Sequence, residues 1–337
     1  MTSERDLIAA IARRAAPTGP DTGPPGLLQG IGDDGAIWRP TPGTDSLITT
    51  DTMVEGVHFD RRWHPPHLLG RKAVAVNVSD IAAMGGTPRF ALLSLGLAGD
   101  EEQPWREALL DGLAGAVQEY GAALIGGDTV RTTGGVMLSV TIIGECRESR
   151  ACRRSGGRAG DSIWVGGPLG LAAAGLELCR LGLGGDTAWA EAVRAHLDPT
   201  AQVELGQRLA DSGLIHAMMD ISDGLATDLA HICTASGVGA EVEAKLLPIP
   251  PLVSRAAAEC GADAITWALT GGEDYHLLFT AASEHDQAIA RLAGEVPGAA
   301  PARVGRLTEQ AGVVLRQPDG QSREIGYGGY EHFRATP

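Results

Sequence analysis

Lysine is almost absent: among 337 residues only Lys72 and Lys245 occur, followed by Ala73 and Leu246. A Walker-type phosphate loop ends in Lys-Ser or Lys-Thr, so that site is excluded. Paired cysteines are missing too. The five present, Cys146, Cys152, Cys179, Cys233 and Cys260, are odd in number and form no Cys-x-x-Cys spacing, which excludes the usual zinc and dithiol signatures. They read as buried thiols of a reducing cytoplasm. The longest uncharged apolar stretch, Ser162 to Leu176, has 15 residues and several glycines. A spanning helix needs about 18, so no membrane segment is expected. Nor does the amino terminus hold an apolar leader, because Glu4 and Asp6 stand among Arg5, Arg13 and Arg14 and give an ordinary amphipathic helix. Positive charge is scarce, with 27 Lys+Arg against 42 Asp+Glu and a net charge of −15. Such a field repels polyanions, which makes nucleic acid an unfit partner.

What is there is an ordinary globular composition at roughly twice the length of ~150 residues typical of one domain, which predicts two domains. Pro17 to Gly30, with four prolines and four glycines, reads as a loop. Leu47 to Asp51 reads as a strand ending on a carboxylate. Arg71 to Met84 reads as a helix, with Val74, Val78, Ile81 and Ala82 on one face and Asn77 and Asp80 on another. Phe90 to Gly96, Ala122 to Ile125 and Val136 to Ile143 are further strand candidates, with a helix over Trp105 to Tyr120. After an arginine-rich run, Arg147 to Arg158, a strand at Ser162 to Val165 and the turn Gly166 to Gly170 open a second unit. There Asp220-Ile221-Ser222-Asp223-Gly224 precedes a helix closing near Gly237, and His276 to Thr280 reads as a strand. The expected fold is two mixed α/β domains, residues 1–147 and 148–337.

Acids recur beside glycine or at element ends: Asp33-Asp34, Asp51, Asp80, Asp128, Asp220 with Asp223, and Glu273-Asp274. Any one of these also reads as turn or N-cap chemistry. Six such clusters point further, because converging carboxylates repel and coexist only with cations or protons between them. Oxygen-only ligands without paired cysteines suit Mg²⁺, which takes one or two protein carboxylates plus water and phosphate oxygens.

The segments Gly30-Ile31-Gly32-Asp33-Asp34, Thr50 to Phe59, Lys72 to Gly85, Ile125 to Thr129, Asp220 to Leu225, Gly271 to Tyr275 and Tyr327 to Phe333 run through nearly the whole chain. In this order they resemble the thiamine-monophosphate kinases, part of an ATP-binding superfamily with aminoimidazole ribonucleotide synthetase and selenophosphate synthetase. The resemblance implies that ATP phosphorylates thiamine monophosphate directly, giving thiamine diphosphate, with several Mg²⁺ ions in a cytoplasmic homodimer joined through its amino-terminal sheets. It assigns metal ligation to Asp34, Thr49, Thr50, Asp51, Asp80, Asp128, Asp220 and Asp223, with Asp51, Asp128 and Asp223 catalytic through the metal. Gly127, Asp128, Arg154 and Ser222 are carried over as ATP contacts, and His58, Glu273 and Tyr327 as substrate contacts.

The residues beside these fit supporting roles: Asn77 and Lys72 on the helix, and Asp33, Asp228 and Asp274 as acids that cap or hold their neighbours. Gly166 to Gly170 reads as a tight strand-to-helix turn, since Pro168 removes an amide donor. Two rivals stay open at this level. One is a superfamily enzyme with another ATP-activated substrate, although the lack of cysteine before Cys146 disfavours selenophosphate synthesis. The other is a Mg-nucleotide sensor without turnover.

Overall fold

The computed structural model describes residues 4–15 and 24–330. They divide into two compact units, one running to Ile81 and over Gly86–Ser149, the other comprising Ala82–Gly85 and the chain from Arg150. In the first, α1 (Glu4–Ala15), β1 (Leu27–Gln29) and β2 (Ile37–Trp38) precede β3 (Thr44–Val54) and α2 (Pro66–Ala83). β4 (Thr87–Leu97), α3 (Gln103–Glu119), β5 (Ala123–Arg131) and β6 (Met137–Arg147) follow.

Four of these strands form a sheet in the order β3-β6-β4-β5. β6 runs antiparallel to both neighbours, whereas β4 and β5 are parallel, which requires a crossover that α3 supplies. Leu138, Val140 and Ile142 on β6 and Ala91, Leu93 and Leu95 on β4 are buried. Ile81 of α2 lies against Leu47 and Gly144 on that face. α2 is buried almost all round from Ala73 to Ser79, as a helix in the middle of a core must be, and it takes Lys72 and Asn77 inside with it.

Several expected boundaries move. α2 starts at Pro66, five residues before the periodic stretch, because proline at the first helical position lacks only an amide that has no intrahelical partner. β3 continues past Asp51 to Val54 and β5 past Ile125 to Arg131, so Asp51 and Asp128 lie inside strands. Their polar composition hides the strand because each lies at a sheet edge. Leu27–Gln29 pairs with β2 inside the segment read as a loop; residues 17–23 of it, and 331–333 of the tail motif, lie outside the described residues. Cys152 and Cys260 are half-buried where all five thiols were expected inside; none of the five forms a disulfide.

The second unit contains β7 (Ser162–Val165), α4 (Leu171–Arg180), α5 (Ala190–Leu197), α6 (Val203–Ser212), β8 (Ile215–Asp220), α7 (Leu225–Ser236) and β9 (Gly239–Glu243). Then come α8 (Pro251–Cys260), α9 (Ala264–Thr270), β10 (Leu277–Ala281), α10 (Asp286–Gly294), β11 (Ala302–Thr308), β12 (Val313–Arg316) and β13 (Ser322–Glu324). The strands make one sheet, β13-β12-β9-β11-β7-β10-β8. Leu225, Leu229, Ile232 and Cys233 of α7 are buried with Ile163, Val165, Met219 and Leu278 in its core, and Gly237 closes the helix in the left-handed region. β7 ends at Val165 opposite Leu278, and β8 ends at Asp220 opposite Leu277, so three loops share one edge of the sheet. Gln202 ties two of them, donating to the Gly166 carbonyl and accepting from the Leu277 amide. No helix among the described residues is long and apolar enough to cross a membrane.

α2 and α3 cross closely: a Cβ on Gly112 would stand 1.9 Å from the His67 carbonyl oxygen, whereas one on Gly115 would meet nothing within 4 Å. Gly112→Ala is expected to destabilise by about 1–3 kcal/mol through overpacking. Gly115→Ala, on the exposed side of the same helix, should be neutral or stabilise by about 0.5–1 kcal/mol. Urea unfolding of the two variants beside the parent chain measures both, and equal effects would contradict the crossing.

Candidate active site

Alternation along β3 turns Thr49 and Asp51 toward the face that carries α2 and turns Thr50 to the opposite face. The Thr49 hydroxyl donates to the Asp80 carboxylate at 2.5 Å, one turn beyond Asn77 on α2. Asn77 accepts the Asp51 amide through Oδ1 at 2.7 Å and donates through Nδ2 to the Ala73 carbonyl, so a buried amide holds the strand to the helix at Asp51. The structure therefore brings Thr49, Asp51, Asn77 and Asp80 into one neighbourhood. Thr50 faces away, donating to the Val140 carbonyl.

Asp128 is exposed on β5 and accepts the Thr129 amide. Thr52, Ser139, Ser94 and Asp128 are successive partners across the sheet, and Asp51 aligns with Val140, Leu93 and Gly127. Three strand spacings of about 4.8 Å separate β3 from β5, so Asp51 and Asp128 of one chain stand roughly 14 Å apart. Gly127, at φ 150°, has the Leu93 carbonyl oxygen 1.9 Å from where a Cβ would be, so only glycine fits beside Asp128. Asp34 is exposed in the turn after β1, its amide donating to Asp33. His58 accepts the Val54 amide at Nδ1, which leaves Nε2 as the protonated nitrogen of the neutral ring.

In the second unit, Asp220 ends β8 and Ser222, Asp223 and Gly224 lead into α7. Asp228, one turn into the helix, accepts the Asp223 amide at 3.1 Å. Burial, and then the charges of Asp220 and Asp223, push Asp228 up to about 8, so it enters this group holding a proton. Among the described residues no three His, Cys, Asp or Glu side chains converge on a common metal-sized point. Exposed or half-buried Asp34, Asp51, Asp80, Asp128 and Asp223 nonetheless offer hard oxygen donors singly or in pairs, which fits an ion that keeps its water and phosphate ligands.

Arg154 is exposed, and its charge lowers both Asp228 and the ring of His231 on α7, the latter mainly depressed by burial. His231 meets the Tyr327 ring edge-on at 5.5 Å, and the Tyr327 hydroxyl lies 2.9 Å from Thr234. The segment that carries Tyr327 is strapped to the start of α7 by the Gly329 amide on the Thr227 hydroxyl and the Tyr330 amide on the Asp223 carbonyl. His231 was not singled out in the sequence, yet Thr227, His231 and Thr234 at i, i+4 and i+7 make a polar stripe on α7 that marks it.

The loop before β10 holds two non-glycine residues in the left-handed region, Glu273 at φ 60° and Tyr275 at φ 49°. The Glu273 amide donates to the Ser222 carbonyl and the Tyr275 amide to the Ile221 carbonyl, each at 2.8 Å. Asp274 is buried and accepts the Gly170 amide on both carboxyl oxygens at 3.1 Å, capping the start of α4 as a supporting acid. The turn at Gly166 to Gly170 is the strand-to-helix turn expected.

Burial pushes Asp274 from 3.8 up to about 7, against the amides of Gly170 and Ala172 that lower it. A folded chain then keeps a proton that the unfolded chain has released, so this group's contribution to stability falls as pH rises from about 4 through 7. Asp274→Asn removes the titration. Urea unfolding at pH 5 and pH 8 should show the parent chain losing stability relative to the variant at the higher pH; a gap that stays constant or reverses would overturn this.

Comparison with known proteins adds the family. Residues 32–146 match the family model described as AIR synthase related protein, N-terminal domain, and residues 158–317 match the corresponding C-terminal domain. The thiamine-monophosphate kinase of Salmonella typhimurium is 38% identical over 310 residues, covering 91% of this chain and 92% of its own. A crystal structure of thiamine-monophosphate kinase from Stenotrophomonas maltophilia superposes with a TM-score of 0.81 at 37% identity, covering 94% of this chain and 96% of that one. A structure described as AaThiL complexed with AMPPCP and TMP superposes at 0.76 with 34% identity, covering 98% and 97%. Two matched domains, and identity sustained over nine-tenths of both chains, establish that this protein belongs to the thiamine-monophosphate kinase family.

Proposed function

We infer that this protein transfers the γ-phosphoryl group of ATP to the phosphate of thiamine monophosphate, giving thiamine diphosphate and ADP. The observation that carries the reading is full-length similarity to thiamine-monophosphate kinases, one relative being solved with the ATP analogue AMPPCP and TMP. The chemistry agrees. An acceptor phosphate with a second pKa near 6 is largely ionised at neutral pH, so no side chain needs to take its proton. The obstacle is anion meeting anion, and Mg²⁺, when bound, neutralises that charge and aligns the oxygens.

This chain's share is placement. Residues 1–147 supply Asp34, Thr49, Thr50, Asp51, Asp80 and Asp128 as metal oxygens, with Gly127 beside the nucleotide. Residues 148–337 supply Asp220 and Asp223 with Ser222 and Arg154, whose planar fork suits a phosphate. His58, Glu273 and Tyr327 receive the thiamine moiety, the carboxylate and ring suiting its cationic thiazolium. Catalysis runs through Asp51, Asp128 and Asp223.

A homodimer formed through the four-stranded sheets fits the same geometry. β3 and β5 are both edge strands and expose Ile48 at 68% and Val130 at 46%, surface that a second copy would cover. Asp51 and Asp128 are too far apart within one chain to share an ion, and carboxylates from two copies need not be. A cytoplasmic location suits the use of ATP and five cysteines without a disulfide.

Coupled ADP release with thiamine monophosphate, thiamine and aminoimidazole precursors tests the reading: turnover is expected with thiamine monophosphate alone, and none with any substrate would leave a nucleotide sensor. Asp51→Asn and Asp128→Asn should each lower kcat by at least about 10²–10³ with unchanged thermal unfolding, since each removes charge stabilisation at the transferring group. Near-normal rates at saturating Mg²⁺ would refute the metal role. Light scattering should give twice the chain mass.

A further inference from the structure

The loop bearing Glu273 is held more tightly than a surface turn needs. A non-glycine residue in the left-handed region is strained and persists only where its surroundings dictate it. At Glu273 they do so from three sides. Its amide is fixed on the Ser222 carbonyl, and the next side chain, Asp274, is fixed on the first turn of α4. Its own carboxylate reaches back to α5, where Oε2 lies 2.7 Å from Nδ1 of His196.

His196 is a ring of the core. It is 1% exposed, in the last turn of α5, and its Cβ lies 3.1 Å from where a Cβ on Gly175 of α4 would be, so the packing of the two helices leaves it little rotational freedom. An ionised carboxylate can only accept, so Nδ1 is the donor whichever charge the ring carries. The Glu273 side chain is 24% exposed, while the group that orients it is fully inside. A partly exposed glutamate would otherwise spend much of its time in other rotamers and would have to be ordered when a ligand arrives. A partner fixed in the core removes that cost beforehand.

We propose that His196 is a positioning residue for this reaction, its Nδ1–H holding the Glu273 carboxylate in the orientation that receives the thiazolium cation of thiamine monophosphate. This rests on the reading of Glu273 as a substrate contact. His196 is 1% exposed and reaches the site through Glu273, so its loss is felt as weaker substrate binding and not as slower chemistry.

The test is steady-state kinetics on His196→Leu and His196→Asn, alone and with Glu273→Gln. Leucine and asparagine share a branched shape, but only asparagine keeps an N–H donor near the Nδ1 position. His196→Leu should raise KM for thiamine monophosphate about tenfold, with kcat and KM for ATP within about twofold, and His196→Asn should recover most of the loss. In the Glu273→Gln background the effect of His196→Leu should fall below about twofold. Equal effects of leucine and asparagine, the same increase in both backgrounds, or a fall in kcat alone would each overturn the proposal. Should His196→Leu not fold, His196→Asn takes its place in the cycle, and its smaller increase must vanish with Glu273→Gln. Glu273→Gln by itself decides the underlying reading: an unchanged KM removes Glu273 from the substrate site and the proposal with it. A raised KM there, with His196→Leu inert, overturns the proposal alone.

Discussion

Repulsion between like charges is the constraint that organises both halves of this chain. A phosphoryl donor and a phosphate acceptor repel, and the carboxylates that would hold neutralising cations repel one another as well. Two of the acids are held in place by their neighbours. Asp51 lies in a sheet ladder and is tied by its amide to Asn77, and Asp80 is met by the Thr49 hydroxyl. Where acids do crowd, one gives up its charge: Asp228, pushed to about 8 by burial and by its neighbours, serves the Asp223 amide as a local acceptor.

The same constraint bears on where acids lie in the four-stranded sheet. A carboxylate needs water or a cation, and Asp51 and Asp128 lie exposed on the edge strands β3 and β5, while β6 and β4 between them are filled with Leu, Ile and Val. In the first unit the core of α2, α3 and β6 holds the strands, and Asp51 and Asp128 lie on the exposed edges.

Much of this was legible in the residues. Periodic apolar positions located α2 and α7, Gly237 marked the end of α7 through its left-handed cap, and Asp220 to Gly224 stands at the helix entrance as expected, whereas the strand β8 that Asp220 ends had no sequence expectation. Alternation failed on β3 and β5, because an edge strand with a polar outer side has no apolar rhythm to read, and Asp51 and Asp128 therefore looked like terminators. Pro66 escaped notice as a helix start because a proline pair reads first as a break. His196 carried no signal at all: a single histidine on an eight-residue helix acquires meaning only when folding brings it 77 positions along the chain to Glu273.

A rigid loop can be built from flexible side chains. Glu273 and Asp274 are neighbours, yet the left-handed backbone at Glu273 sends one carboxylate to α5 and the other to the start of α4. An extended backbone would also turn them to opposite faces, but it would not place the Glu273 amide on Ser222 and the Tyr275 amide on Ile221 together. Those two bonds tie the loop before β10 to the segment that carries Ser222 and Asp223. Glu273 and the acids at the entrance of α7 thus share one hydrogen-bonded frame. The strain at Glu273 and Tyr275 is the local cost of that shared frame, and the buried partners His196 and Gly170 are what hold it in place.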